Sequence, residues 1–230
     1  MNDTVIEPGQ TGLFAGLSAG EAVELLQCLD AERADYPKGA SIIEEGSRGH
    51  GVGILCAGRA RAVKWDASGR LIIITLLQKG SEIGALLAAC PGRPSPVTVQ
   101  ALDDACVLWL SAVRILDGCG RACPRHGLLL RNYLRIVAEK GLVLHKRLDC
   151  LLRPTVREKV LAYLSRMSGQ RRAGTFSIPL DRGAMAEYLN VERSALSREL
   201  AHMKRDGILD YHKNTFRLLG DPGKDGDRWA

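Results

Sequence analysis

Residues 181–209, DRGAMAEYLNVERSALSRELAHMKRDGIL, constrain the fold more than any other stretch of this chain. They hold two short helical patterns separated by a tight turn. Asp181 can cap the first helix, in which Met185, Ala186 and Leu189 form one apolar stripe. Asn190 stands where the chain must turn sharply, a position that asks for glycine or a residue tolerant of the left-handed region. Leu196, Leu200 and Met203 then recur at i, i+4 and i+7, which fixes the buried face of a second helix. Its opposite face carries Arg193, Ser194, Ser197 and Arg198. A helix of this kind can lay its N-terminal residues against base edges in a major groove. The pattern predicts a helix-turn-helix that binds double-stranded DNA.

Charge supports that reading. Residues 1–152 carry 17 Lys+Arg against 16 Asp+Glu, whereas residues 153–220 carry 13 against 7. The basic excess thus sits where phosphate contact and counterion release need it. Charge alone would fit a solvated basic surface equally well; combined with the helix pair it points to nucleic acid. The first 20 residues lack a basic start followed by an apolar run. No apolar run approaches the ~18 residues of a membrane span. The expectation is a soluble cytoplasmic protein with no membrane partner. The seven cysteines (28, 56, 90, 106, 119, 123 and 150) form no Cys-x-x-Cys pair and read as reduced thiols.

At 230 residues there is room for one or two domains with real cores. Residues 11–30 read as a short helical entry with Leu25, Leu26 and Leu29 on one side. From Tyr36 to Leu110 the pattern becomes short strands broken by glycines: Ser41–Glu45, Gly51–Cys56, Ala60–Trp65, Leu71–Leu77 and Val97–Leu102. Strands so spaced predict an antiparallel barrel or roll able to enclose a small molecule. A long helix follows, roughly Pro124 to Leu152. Leu130, Leu134, Val137, Gly141, Leu144, Leu148 and Leu151 step by four and three along it, the seam of a two-helix coiled coil. The competing reading is a helix buried against its own domain; the regular seam favours a homodimer. Arg153-Pro154 interrupts the helix and marks a hinge. Thr155–Met167 is again amphipathic, Thr175–Ile178 is a brief strand, and Ile208–Leu219 reads as a hairpin turning near Lys213-Asn214. Such a wing can touch the DNA backbone through Lys213, with Arg217 a further candidate.

This order of parts resembles the Crp/Fnr family of bacterial transcription regulators over about residues 11–220. In the roll the resemblance rests on Tyr36-Pro37-Lys38-Gly39, Glu45-Gly46, Ala57-Gly58-Arg59 and Lys79-Gly80-Ser81-Glu82-Ile83-Gly84. In the C-terminal part it rests on Thr155-Val156-Arg157-Glu158-Lys159 and Met185 to Leu209. It implies an α+β chain: an N-terminal antiparallel, jelly-roll-like β-roll of the cyclic-nucleotide-binding type over 1–123, a dimerisation helix over 124–152, a winged helix-turn-helix over 153–220, and a flexible tail over 221–230. It implies a recognition helix from about Arg193 to Arg205, with Arg193 and Arg198 where family members set arginines against guanine or phosphate. The expected target is a pseudo-palindromic operator, with RNA polymerase a further partner. Ser194 occupies a position that often carries glutamate, and Glu199 one where an apolar residue is usual.

The effector segment departs further. By resemblance the pocket would involve Gly84, Ala85, Leu86 and Ser95. Cyclic-AMP binders place a glutamate where Ala85 stands and an arginine where Pro94 stands. A cyclic phosphate buried there would lack its charge partner, and Arg93, one step away in a strand-like segment, would point elsewhere. Cyclic AMP is therefore not expected. Nor is the N-terminal iron–sulfur cluster of the oxygen-sensing branch, because no cysteine precedes Cys28. The effector is left unidentified. Cys119 and Cys123, with Cys150 or His126, leave open a thiol-, haem- or metal-based redox sensor acting through protein contacts. No metal site is assigned. The chain shows no paired carboxylates, nucleophile–base signature or phosphate-cradling glycine loop, so it is not expected to be an enzyme.

Overall fold

A computed structural model of the chain describes residues 11–49, 51–118, 125–169 and 174–219. The chain divides into two compact units, Met1–Leu142 and Val143–Ala230.

The first unit opens with a 3-10 turn, Gly12–Phe14, and helix α1, Ala19–Cys28. Ser18 and Glu21 close a capping box at the start of α1. Eight strands follow: β1 (Glu32–Tyr36), β2 (Ser41–Ile43), β3 (Val52–Ala57), β4 (Ala60–Trp65), β5 (Leu71–Leu77), β6 (Glu82–Ile83), β7 (Thr98–Ala101) and β8 (Ala105–Leu110). Helix α2 (Ala85–Ala88) lies between β6 and β7, and α3 (Ala112–Asp117) follows β8. The strands form two antiparallel four-stranded sheets, ordered β1-β8-β3-β6 and β2-β7-β4-β5.

One core lies where the sheets contribute Ile43, Leu55, Ala62, Leu77, Val99 and Val107. A second joins Val52, Ile54, Cys106 and Leu110 to Leu13, Phe14, Leu25 and Leu29. β3 is therefore buried on both faces, which explains its unbroken apolar run. Of the expected strands, Ala60–Trp65 and Leu71–Leu77 have the expected bounds. The other three are offset or shorter, and β1, β6 and β8 are additional.

Helix α4 spans His126–Leu151. Leu129, Tyr133 and Ile136 bury one side of its first half in the second core, with Leu130 and Val137 packed at the edge. Asn132 Nδ2 donates to the carbonyls of Leu13 and Ala15 at 3.1 and 2.8 Å, and Lys140 reaches Glu82 at 3.5 Å. Residues 141–146 are all exposed.

In the second unit the final turns of α4 bury Arg147 and Cys150. Helix α5 is Val156–Ser168, with Thr155 as its N-cap rather than its first residue. Strand β9 (Phe176–Ser177), helix α6 (Arg182–Leu189), helix α7 (Arg193–Arg205) and strands β10 (Leu209–His212) and β11 (Thr215–Leu218) complete it. The three strands form one sheet ordered β10-β11-β9. The division between units falls inside α4, and the expected helix break at Arg153-Pro154 separates α4 from α5. Across that proline, Cys150 Sγ lies 3.4 Å from the Lys159 carbonyl of α5.

Candidate nucleic-acid interface

Local chemistry sets the helix pair. Asp181 Oδ1 accepts from Ala184 N at 2.8 Å, the expected cap of α6. Asn190 adopts φ 52° and ψ 57°, the left-handed conformation that ends α6. The chain turns through Val191, and α7 begins at Arg193. Leu196, Leu200 and Met203 are fully buried, alongside Met185 and Leu189 of α6. Arg193, Ser194, Ser197 and Arg198 are all exposed together on the opposite face of α7. Cap and turn residue set α6, and the apolar stripe sets α7.

The wing is the β10–β11 hairpin, with Tyr211 opposite Phe216 and His212 opposite Thr215. Lys213 occupies its turn at φ 52°, a left-handed position unusual for lysine. Its side chain is exposed. Arg182, at the start of α6, donates through Nη2 to the Lys213 carbonyl at 3.2 Å and lies over the Tyr211 ring, 5.0 Å from its centroid. Sequence reasoning missed this arginine; Arg182 at the N-terminus of a helix carries no signal of a contact 31 residues away.

Behind the helix pair, Tyr188 of α6 meets Tyr163 of α5 at 5.2 Å between ring centroids. Arg166 donates to the Tyr188 hydroxyl at 2.7 Å. The Arg147 guanidinium sits 4.1 Å from the centre of the Tyr188 ring and is only 4% exposed. Burial pulls its pKa down, opposed by Tyr188. Glu199, which stands where an apolar residue is usual in the family, meets Arg157 of α5 at 2.6 Å.

The expected effector residues are less convergent. Gly84 has φ 73°, and a Cβ there would come within 2.9 Å of the Gly51 carbonyl, so no other residue fits without strain. Ala85 is buried, and its carbonyl accepts from Tyr133 Oη of α4 at 2.7 Å. Leu86 is exposed. Ser95 is buried, but its Oγ donates to the Val97 carbonyl of its own loop at 2.6 Å. Arg93 is exposed in a turn closed by its N–H on the Cys90 carbonyl at 3.2 Å, not in a strand as expected. A surface depression of about 460 Å³ lies elsewhere, lined by Arg33, Asp35, Tyr36, Asp104 and Cys106 among others.

Among the described residues no group of three or more His, Cys, Asp or Glu is placed to hold a metal. Cys119 and Cys123 lie outside the described residues. Burial pushes the Cys106 thiol up to about 11 and raises those of Cys56 and Cys150. His145 is exposed, 3.9 Å from Asp149. No helix of the described residues is long and apolar enough to cross a membrane.

Along α4 the seven seam positions do not share one environment. Leu134, Gly141, Leu144 and Leu148 are exposed, whereas Leu130, Val137 and Leu151 are half-buried. Leu134, in the first unit, is 58% exposed, and Leu148, in the second, 51%.

Comparison with known proteins agrees with this geometry. The cyclic nucleotide-binding domain model matches residues 33–120, and the Crp-like helix-turn-helix domain model matches residues 158–220. The chain belongs to the Crp/Fnr family of transcription regulators. Crp/Fnr proteins are DNA-binding regulators, not enzymes. The transcriptional activator FnrL of Cereibacter sphaeroides is 24% identical over 215 residues, spanning 84% of this chain and 81% of its own. Among solved Crp/Fnr folds, FixK2 of Bradyrhizobium japonicum superposes with a TM-score of 0.62 at 22% identity, over 83% of this chain and 93% of its own. A CooA variant of Carboxydothermus hydrogenoformans gives 0.70 at 17% identity, over 100% and 97%.

Proposed function

We propose that this Crp/Fnr regulator works as a homodimer that reads a pseudo-palindromic operator. Arg193, Ser194, Ser197 and Arg198 of α7 face the bases, and Lys213 on the wing meets the backbone. The observation that carries this reading is the division of α7 into a buried Leu196–Leu200–Met203 stripe and an exposed polar face. In a twofold dimer, two such helices enter successive major grooves about 34 Å apart. The exposed Leu134, Leu144 and Leu148 are the residues we assign to the partner copy, since apolar residues at heptad spacing gain most by covering one another.

The roll senses an effector that is not a cyclic nucleotide. Pro94 and Ala85 supply neither of the charges such a ligand needs, and Ser95 is already engaged with Val97. A change at residues 84–86 would reach α4 through the hydrogen bond from Tyr133 to the Ala85 carbonyl. RNA polymerase is a further partner on this reading, and the cytoplasm its place of action.

The test is selection of bound duplexes from a random pool by the full-length protein. A twofold-symmetric consensus with guanine at matched half-site positions is expected. An asymmetric consensus bound by a single chain would refute the dimeric reading.

A further inference from the structure

Arg157 stands in the first turn of α5 and grips α7 at two points. Its Nε donates to Glu199 Oε1 at 2.6 Å and its Nη2 to Asp206 Oδ2 at 2.7 Å. Positions 199 and 206 are seven apart, two turns along one flank of the helix and its C-cap. Glu199 lies where the helix-turn-helix pattern asks for an apolar side chain, and its side chain is 22% exposed. A carboxylate this hidden needs a charged partner.

Helix dipoles sharpen the case. A cation at the N-terminus of α5 and an anion at the C-terminus of α7 are each on the unfavourable end of their own helix. Each is disfavoured at its own helix end and offset by the other, Arg157 by Glu199 as well. The guanidinium is the group suited to the task, because its planar fork can serve two carboxylates at once where an ammonium cannot hold both in fixed geometry.

We propose that Arg157 is a positioning residue for DNA recognition. It makes no use of the exposed face of α7; it fixes the angle at which Arg193 and Arg198 are presented. Residue 199 follows Arg198 by one step, about 100° around the helix, so the flank held by Arg157 and the face offered to the duplex turn together. The inference rests on reading α7 as the recognition helix and adds what orients it.

The experiment compares wild type, Arg157→Lys, Arg157→Met and the double variant Arg157→Met/Glu199→Leu in the full chain. Two readouts are taken well below the unfolding temperature: affinity for the selected operator against a random duplex, and amide hydrogen exchange along α7 without DNA. Arg157→Met is expected to lose operator affinity at least about tenfold while random-duplex affinity changes less than about twofold, because no phosphate contact is removed. Exchange at residues 196–205 should speed up at least about tenfold relative to α6. The double variant, which replaces the ion pair by apolar contact, should recover both to within about threefold. Arg157→Lys should fall between, and it carries the test with the double variant should Arg157→Met fail to fold. Wild-type operator affinity and wild-type exchange in Arg157→Met would overturn the proposal. A wild-type protein that did not distinguish operator from random duplex would instead sink the assignment of α7 itself.

Discussion

Arg198 projects from the exposed face of α7 while its neighbours Leu196 and Leu200 fix the helix from behind. If it pairs with a guanine, Arg198→Ala should cost ~1–3 kcal/mol of discrimination between operator and random duplex, measured by competition binding. An equal loss on both duplexes would make Arg198 a phosphate contact. A second residue-scale expectation concerns Glu21. The Ser18 backbone N–H it accepts, then Arg125, hold its carboxyl near 2 rather than the ordinary 4.5. The folded value is depressed, so its contribution is complete above about 4.5 and is lost as the pH falls through about 2. The Glu21 carboxylate signal in an NMR titration should move at that lower value. The thiols give a third. Cys90 is exposed while Cys56 and Cys106 are buried with raised pKa values. Alkylation at neutral pH should therefore mark Cys90 long before either, as read by mass spectrometry; equal rates would favour a thiol-sensing role for the roll. Single residues were the least legible in the sequence. Glu199 stood out only as a departure from the family's usual apolar residue, because its partner, Arg157, lies 42 residues away and no local pattern announces such a pair.

The buried stripe of helix α7 was readable because Leu196, Leu200 and Met203 act within two turns of one another, whereas its bounds came from the family resemblance and not from a local cap. Strands fared unevenly. β1, Glu-Arg-Ala-Asp-Tyr, is charged, half-exposed and an edge strand, so it offers no alternation to detect. β8 is buried on both faces, and a short apolar run cannot be told from a buried helix by periodicity. Pairing β1 with β8 joins residues more than 60 apart, information that only the fold contains. Helix α4 shows the same limit differently: the sequence marked a heptad pattern along it but not that the neighbouring face would serve two units in turn. Leu148→Glu should raise the dimer dissociation constant at least ~100-fold by placing a charge at a heptad position, as measured by sedimentation. Gly141 offers a sharper probe. A Cβ there meets nothing within 4 Å, so Gly141→Ala should stabilise the single chain by roughly 0.5–1 kcal/mol. Were two helices to close tightly at that glycine, the same change would weaken the dimer.

At the scale of the whole molecule the charge is lopsided: 13 basic against 7 acidic residues over 153–220, near balance before it. Duplex binding should fall by at least about tenfold between roughly 50 and 200 mM salt, a gradient followed by fluorescence anisotropy. Insensitivity to salt would count against phosphate neutralisation. The placement of Arg147 bears on where the DNA-reading portion of the chain begins. A fragment opening at Arg153, after the helix break, would leave Arg166 at Tyr188 but strip the ring of the nearer cation, Arg147, and remove Cys150 from beside α5. One opening at Val143 keeps both. The shorter piece should melt early, and the longer one should stand as an autonomous reader.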